Sequence, residues 1–132
     1  MLYSRAYIIG NISETKRLSE VDILNQNGKV ISKAGGASPV SIFNSSPVSI
    51  HVKISNAVGL SGAKVGCYVY GINPKEVPFL DLQGVYYQGE VPFSGDGEIL
   101  LDITETGAAF IDPVITIGSG SCDVVIIVCG KD

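Results

Sequence analysis

The sequence contains no tryptophan, one methionine, one histidine and three cysteines in 132 residues. An odd cysteine count excludes a closed disulfide framework. Cys122 and Cys129 lie seven positions apart on one apparent strand, which separates them by ~23 Å at about 3.3 Å per residue, beyond disulfide reach. No CxxC or Cys/His spacing points to zinc, so the expectation is reduced cysteines in a core. His51 stands between Ser49 and Lys53 on a polar face, and no GxSxG elbow supplies it with a nucleophile. Gly118-Ser119-Gly120-Ser121 resembles that motif only superficially and reads as a turn. There is no GxGxxG or Walker loop for a nucleotide. No apolar run approaches the ~20 residues of a membrane helix, the longest being Val124-Val125-Ile126-Ile127-Val128. The first residues lack the apolar core of a signal peptide, which predicts an intact cytosolic product or one assembled in a cytosol. Lysine and arginine are absent from residues 76–130, where nine acidic residues stand. With a pI near 4.8, general nucleic-acid binding is excluded, because it needs clustered cations to displace counterions.

What is abundant is isoleucine and valine, 16 and 15 residues against 8 Leu and 7 Ala. β-Branched side chains lose rotamer freedom in a helix and suit a pleated surface. An all-β protein follows. Period-2 alternation runs through residues 48–54, with Val48, Ile50, Val52 and Ile54 on one face. Val65, Cys67 and Val69 form one face of a second strand, and Tyr68 with Tyr70 the other. Val85, Tyr87, Val91 and Phe93 are expected to share a face. Ile99, Leu101 and Ile103 point inward, and Glu98, Asp102 and Thr104 outward. Residues 59–62 read as a turn, and 94–97 and 118–121 as hairpin turns. Eight or so short strands at this spacing predict an antiparallel two-sheet sandwich, jelly-roll or immunoglobulin-like.

Residues 1–36 differ in texture and carry five basic against three acidic groups. Tyr7-Ile8-Ile9 is a short apolar patch. Asn25-Gln26-Asn27-Gly28 favours a hairpin turn, and Gly35-Gly36 with Ser38-Pro39 reads as a hinge. The expected division is an extended N-terminal arm or hairpin over 1–36 and a sandwich over 37–132. The arm grips a neighbour or edges its own sandwich. On the first alternative, deleting residues 1–33 leaves a folded domain.

The last strand has two apolar faces, Val124, Ile126 and Val128 on one and Val125, Ile127 and Cys129 on the other. A sandwich core covers only one. Something else must cover the second, either the arm or another subunit, since an exposed apolar run of this kind invites aggregation. The candidate interface residues are therefore Tyr7, Ile8, Ile9, Arg17, Val125, Ile127 and Cys129. A different reading makes Tyr68, Tyr70 and Tyr86 a stacking platform for a sugar, against the plainer one in which they pack on the arm or a neighbour. Asp102 with Glu105, and Asp96 with Glu98, are close carboxylates at strand exteriors and turns, without the burial that would tune them for acid–base work. Asp96-Gly97-Glu98 lacks the EF-hand pattern for calcium. No catalytic set, metal or cofactor is expected.

The C-terminal third carries a recurrent arrangement: Gly97-Glu98-Ile99-Leu100-Leu101-Asp102-Ile103-Thr104, then Ala108-Ala109-Phe110-Ile111, then Val114-Ile115-Thr116-Ile117, a Gly/Ser turn and a final Val/Ile strand. This resembles small β-sandwich proteins of tailed bacteriophage particles, including head-decoration (cement) proteins and modules of tails and fibres. The likeness spans roughly residues 97–130, and the strand at 111–117 departs from it in having no arginine. It implies a non-enzymatic virion protein that attaches to a major capsid or other virion protein and self-associates, a trimer being one form. The acidic balance and the short apolar runs leave no nucleic-acid or membrane partner expected. The alternative is a carbohydrate- or receptor-binding module on a tail or fibre.

Overall fold

A computed structural model describes residues 2–34, 40–41, 48–104 and 109–131. The expected hinge at 35–39 and Glu105 lie outside them. The strands are β1 (Leu2–Ile12), β2 (Lys16–Arg17), β3 (Ile23–Leu24), β4 (Val30–Ser32), β5 (Val40–Ser41), β6 (Val48–Ser61), β7 (Ala63–Tyr70), β8 (Val85–Tyr86), β9 (Val91–Phe93), β10 (Gly97–Ile103), β11 (Phe110–Thr116) and β12 (Ser119–Lys131). Short 3₁₀ turns at Leu18–Glu20 and Pro78–Leu80 interrupt the connections.

The strands form two antiparallel sheets. Sheet A has the order β10-β6-β12-β1-β3-β4, and sheet B the order β2-β11-β7-β8, with β5 on β11 and β9 on β7. The first long strand thus lies beside the last in sheet A, and β2 lies beside the penultimate β11 in sheet B. An immunoglobulin sandwich instead places its first strand beside its second. The interlocked order found here is a jelly roll, which resolves the two topologies left open by the sequence.

The alternation places the core where expected. Val48, Ile50, Val52 and Ile54 of β6 are at most 3% exposed, as are Val124, Ile126 and Val128 of β12. Ile99, Leu101 and Ile103 of β10 join them, facing Val65 and Cys67 of β7 and Ile111 and Ile115 of β11. Val85 departs from its expected group. It is 71% exposed, whereas Tyr87, Val91 and Phe93 pack on the core. β8 is only two residues long, and the chain leaves the ladder before β9.

The turns at 59–62, 94–97 and 118–121 are not hairpins. Each joins a strand of one sheet to a strand of the other: β6 to β7, β9 to β10, and β11 to β12. The turn around Asn25 is a hairpin, closed by Asn25 N–H to Lys29 O at 2.8 Å and Gly28 N–H to Asn25 O at 3.0 Å.

Residues 2–34 are laid into the sandwich. β1 pairs with β12 from Leu2↔Lys131 to Ile12↔Cys122, with one bulge between Ile8 and Gly10. Gly10 has φ +82°, and a Cβ there would press on the Leu24 side chain. Tyr7, Ile12, Leu18 and Ile23 are buried in the common core. The segment read as an arm is therefore a strand and an edge hairpin of its own sandwich.

Candidate interaction surface

The two sheets treat their outer faces differently. On sheet B the outward residues are Tyr68 and Tyr70 of β7 and Asp112 of β11, which sits opposite Tyr68. The chain folds back over them. Asp112 is only 1% exposed. Its Oδ2 accepts from Arg17 Nε at 2.8 Å and from Ser19 Oγ at 2.6 Å, and its Oδ1 accepts from Ser19 N–H at 3.0 Å. Arg17 Nη2 also donates to Tyr70 Oη at 2.6 Å and to Gln83 O at 2.9 Å. Its guanidinium lies 3.8 Å from the centre of the Tyr68 ring, a cation–π contact. One planar cation thus links β2, β7, β11 and the loop after β7.

Tyr86 completes this cover. Its ring meets Tyr68 edge-on at 5.3 Å and lies on the bare backbone of Gly66, where a Cβ would overlap its hydroxyl. Tyr86 Oη donates to Glu90 at 2.6 Å, and Glu90 pairs with Lys64 at 2.9 Å. Burial, then the Glu90 carboxylate, hold the Tyr86 phenol well above its ordinary range. The same two partners, Tyr86 before Lys64, lower the Glu90 carboxyl. Burial raises the Tyr70 phenol and pushes the Cys67 thiol, on the inner side of β7, up to about 12. All three cysteines are free thiols, Cys67 and Cys122 being buried.

These contacts place the residues of two expectations. Arg17 is engaged within the chain by Asp112, Tyr70 and Gln83. Arg17 occupies the Tyr68 ring face and Tyr70 is only 8% exposed, while Tyr86 packs on Tyr68 and Gly66. Asp112 was missed from sequence. Its signal was a lone carboxylate in the apolar strand Ile111-Asp112-Pro113-Val114, which can be buried only with a cation.

On sheet A no segment of the described chain lies over the outer face. The register builds that face row by row. Leu100, His51, Ile127 and Ala6 lie abreast on β10, β6, β12 and β1. The next row is Glu98, Lys53, Val125, Ile8 and, on β3, Leu24. On the other side Asp102, Ser49, Cys129 and Ser4 align. The face is split across its width. β10 and β6 carry charge, with His51 Nε2 2.8 Å from Glu98 Oε1. β12 and β1 carry the apolar Val125, Ile127, Ala6 and Ile8. Leu100 is 56% exposed among the charges.

Four of the expected interface residues, Ile8, Val125, Ile127 and Cys129, come together here. Tyr7 does not. It turns inward opposite Ile126 and is 7% exposed, because strand alternation sends neighbours to opposite faces. Ile9 sits at the bulge and packs on the core.

Asp123 ends the apolar strip, with Asn56 Nδ2 at 2.7 Å and Asn11 Nδ2 at 3.1 Å from its two oxygens. Asn56 first and Asn11 second lower its carboxyl below the ordinary 3.8. A depressed folded pKa gives stability that is present above the unfolded value and lost as pH falls through the folded one. The expected result is that Asp123→Asn lowers the urea midpoint at pH 6, and that the gap from wild type closes as pH falls below about 3.8. A gap that stays constant down to full protonation of the carboxylates would show that Asp123 contributes nothing through its charge.

Among the described residues no group of His, Cys, Asp and Glu comes together to hold a metal ion, and no helix is long and apolar enough to cross a membrane. No family model and no curated protein matches the sequence. Among solved structures, the chain is similar to a chain of the Triatoma virus empty capsid, at 12% identity and TM-score 0.42, covering 97% of this chain and 88% of that one. It is also similar to a chain of Broad bean stain virus, at 11% identity and TM-score 0.39, covering 100% of this chain and 86% of that one.

Proposed function

We propose that the protein is a non-enzymatic structural component of a virus particle, a decoration or cement subunit that docks on a major capsid or other virion protein and self-associates. The observation that carries this reading is the asymmetry of the two sheets. Segments of the described chain lie over the outer face of sheet B, whereas none of the described segments lies over the apolar half of sheet A, where Ala6 is exposed and Ile8, Val125 and Ile127 are half-buried. A strip of that kind flanked by charge is what a docking face needs, with apolar contact for affinity and charges to set register. The arrangement of residues 97–130, which resembles that of phage decoration proteins, and the jelly-roll order, a fold shared by capsid and lectin domains, fit this role. Fold alone does not assign function, so the uncovered strip carries the weight. Repetition over a lattice would multiply a weak contact into firm attachment.

The test is Ile127→Glu. Because the side chain lies on an outer face, the variant should melt close to wild type yet lose attachment to purified particles of the virus that carries its gene. Gold-labelled antibody should find wild-type protein on those particles. Label confined to the soluble fraction, or a variant that attaches as wild type does, overturns the assignment.

A further inference from the structure

Two further surfaces remain, one bordering the Arg17 cluster at Tyr70 and Gln83 and the other beyond the sheet A strip. The first is the connection from β7 to β8. It presents Phe79 81%, Leu80 52%, Leu82 39% and Val85 71% exposed, a concentration of bare apolar side chains that a solvated loop does not need. The segment is held in shape. Lys75 N–H and Glu76 N–H both bond to Asn73, Leu80 N–H bonds to Val77 O at 3.0 Å, and Asp81 N–H bonds to Pro78 O at 3.2 Å. A recess of about 280 Å³ opens between Tyr70, Leu82 and Val85, roomy enough for one aliphatic side chain. The charges here are Glu76 and Asp81, with Lys75 as the loop's one cation.

The second surface is the β3–β4 hairpin. β4 is the terminal strand of sheet A. Consecutive residues of a strand point to opposite faces, so exposure of both Val30 (43%) and Ile31 (66%) means that β4 is bare on both sides. Among the described residues its outer edge has no strand partner, and such an edge offers backbone donors and acceptors to another chain. Exposed Lys29 and Lys33 flank it. Asp22, the acidic residue of this hairpin, is occupied by Ala34 N–H at 2.9 Å.

We infer that the occupant of the β7–β8 loop is the β3–β4 hairpin of a second copy of this chain. The two surfaces are complementary in three respects. Projecting Ile31 meets a recess of aliphatic size, Lys29 and Lys33 meet Glu76 and Asp81, and both partners are held in their shapes before contact. Both remain exposed within one chain, so they do not satisfy each other there. Because the two surfaces differ, the contact is head-to-tail, and each copy keeps one free surface of each kind until a ring or lattice closes. This self-association goes beyond docking through sheet A, and it uses none of the same residues.

The experiment is sedimentation velocity on the full chain from about 1 µM to about 1 mM. Wild type should gain mass with concentration, less so at high salt. Ile31→Asp and Phe79→Asp should each weaken association by roughly tenfold or more, with unchanged melting because both sites are exposed. Lys29→Glu with Lys33→Glu provides a second hairpin variant. The decisive sample is an equimolar mixture of Ile31→Asp and Phe79→Asp. One retains an intact loop and the other an intact hairpin, so together they should give a dimer that grows no further. Wild type that stays monomeric throughout overturns the inference, as does a mixture that fails to dimerise. Variants that associate like wild type also overturn it. In that outcome Ile127→Glu, run alongside, shows whether sheet A makes the contact instead.

Discussion

Replacing Arg17 with alanine is expected to cost about 3–5 kcal/mol, the range found when one partner of a buried ion pair is removed. Asp112 has no route to water, being 1% exposed, and Arg17 is itself 17% exposed. Removing the guanidinium leaves the carboxylate with Ser19 alone among the donors described above. It also uncovers the Tyr68 ring and frees Tyr70 Oη and Gln83 O from their shared donor. Domains of this kind are stable by about 5–15 kcal/mol, so the loss is a large part of the whole. Arg17→Lys should rescue only in part, because an ammonium cannot stack on Tyr68 while bonding to Asp112, Tyr70 and Gln83. Asp112→Asn in the Arg17→Ala background should recover much of the loss by removing the stranded charge. Urea denaturation followed by tyrosine fluorescence measures all three, with no tryptophan to mask the signal. A shift below about 1 kcal/mol, the size of an exposed pair, would show that Asp112 is hydrated after all.

Deleting residues 1–34 is expected to abolish the fold rather than release a working sandwich. The segment contributes Tyr7, Ile12, Leu18 and Ile23 to the core. At about 1.5–3 kcal/mol for each large apolar side chain buried, the loss is comparable to the entire stability of such a domain. Removing β1 also turns β12 from an interior strand into an edge carrying residues 124–128, a run prone to pair with other chains. Circular dichroism and size exclusion of a 35–132 chain should show an unfolded or aggregated product. A cooperatively melting monomer would mean that β1 is dispensable, and would restore the picture of a detachable arm.

These two expectations mark where the sequence was legible. The core faces of β6, β10 and β12 could be read because alternation depends only on the chain's own pleat. The Asn25 turn could be read because its residue chemistry selects a tight reversal. A reversal does not reveal whether the chain returns to the same sheet or crosses to the opposite one. That choice is set by packing, and the corners at 94–97 and 118–121 were therefore taken for hairpins. β1 was underrated because Ser4, Arg5 and Gly10 dilute its apolar pattern, and its partner lies at the far end of the sequence. At the site, Arg17 and the three tyrosines were each picked out, but for separate purposes. Nothing in their spacing shows that one guanidinium joins them. The outward turn of Val125, Ile127 and Cys129 was legible, since a strand apolar on both sides needs two covers.

The pairing of β1 with β12 also bears on the order in which the molecule forms. Leu2 lies opposite Lys131, so sheet A closes only when β1 and β12, far apart in sequence, meet. Contacts of such long sequence separation form slowly, because the loop entropy must be lost before they give anything back. During synthesis β1 can pair early only with the short β3, and most of its ladder waits for β12. The strand that joins β1 to β6 in sheet A is absent until then. Folding of this design waits on β12, which makes loss of that strand as damaging as loss of β1.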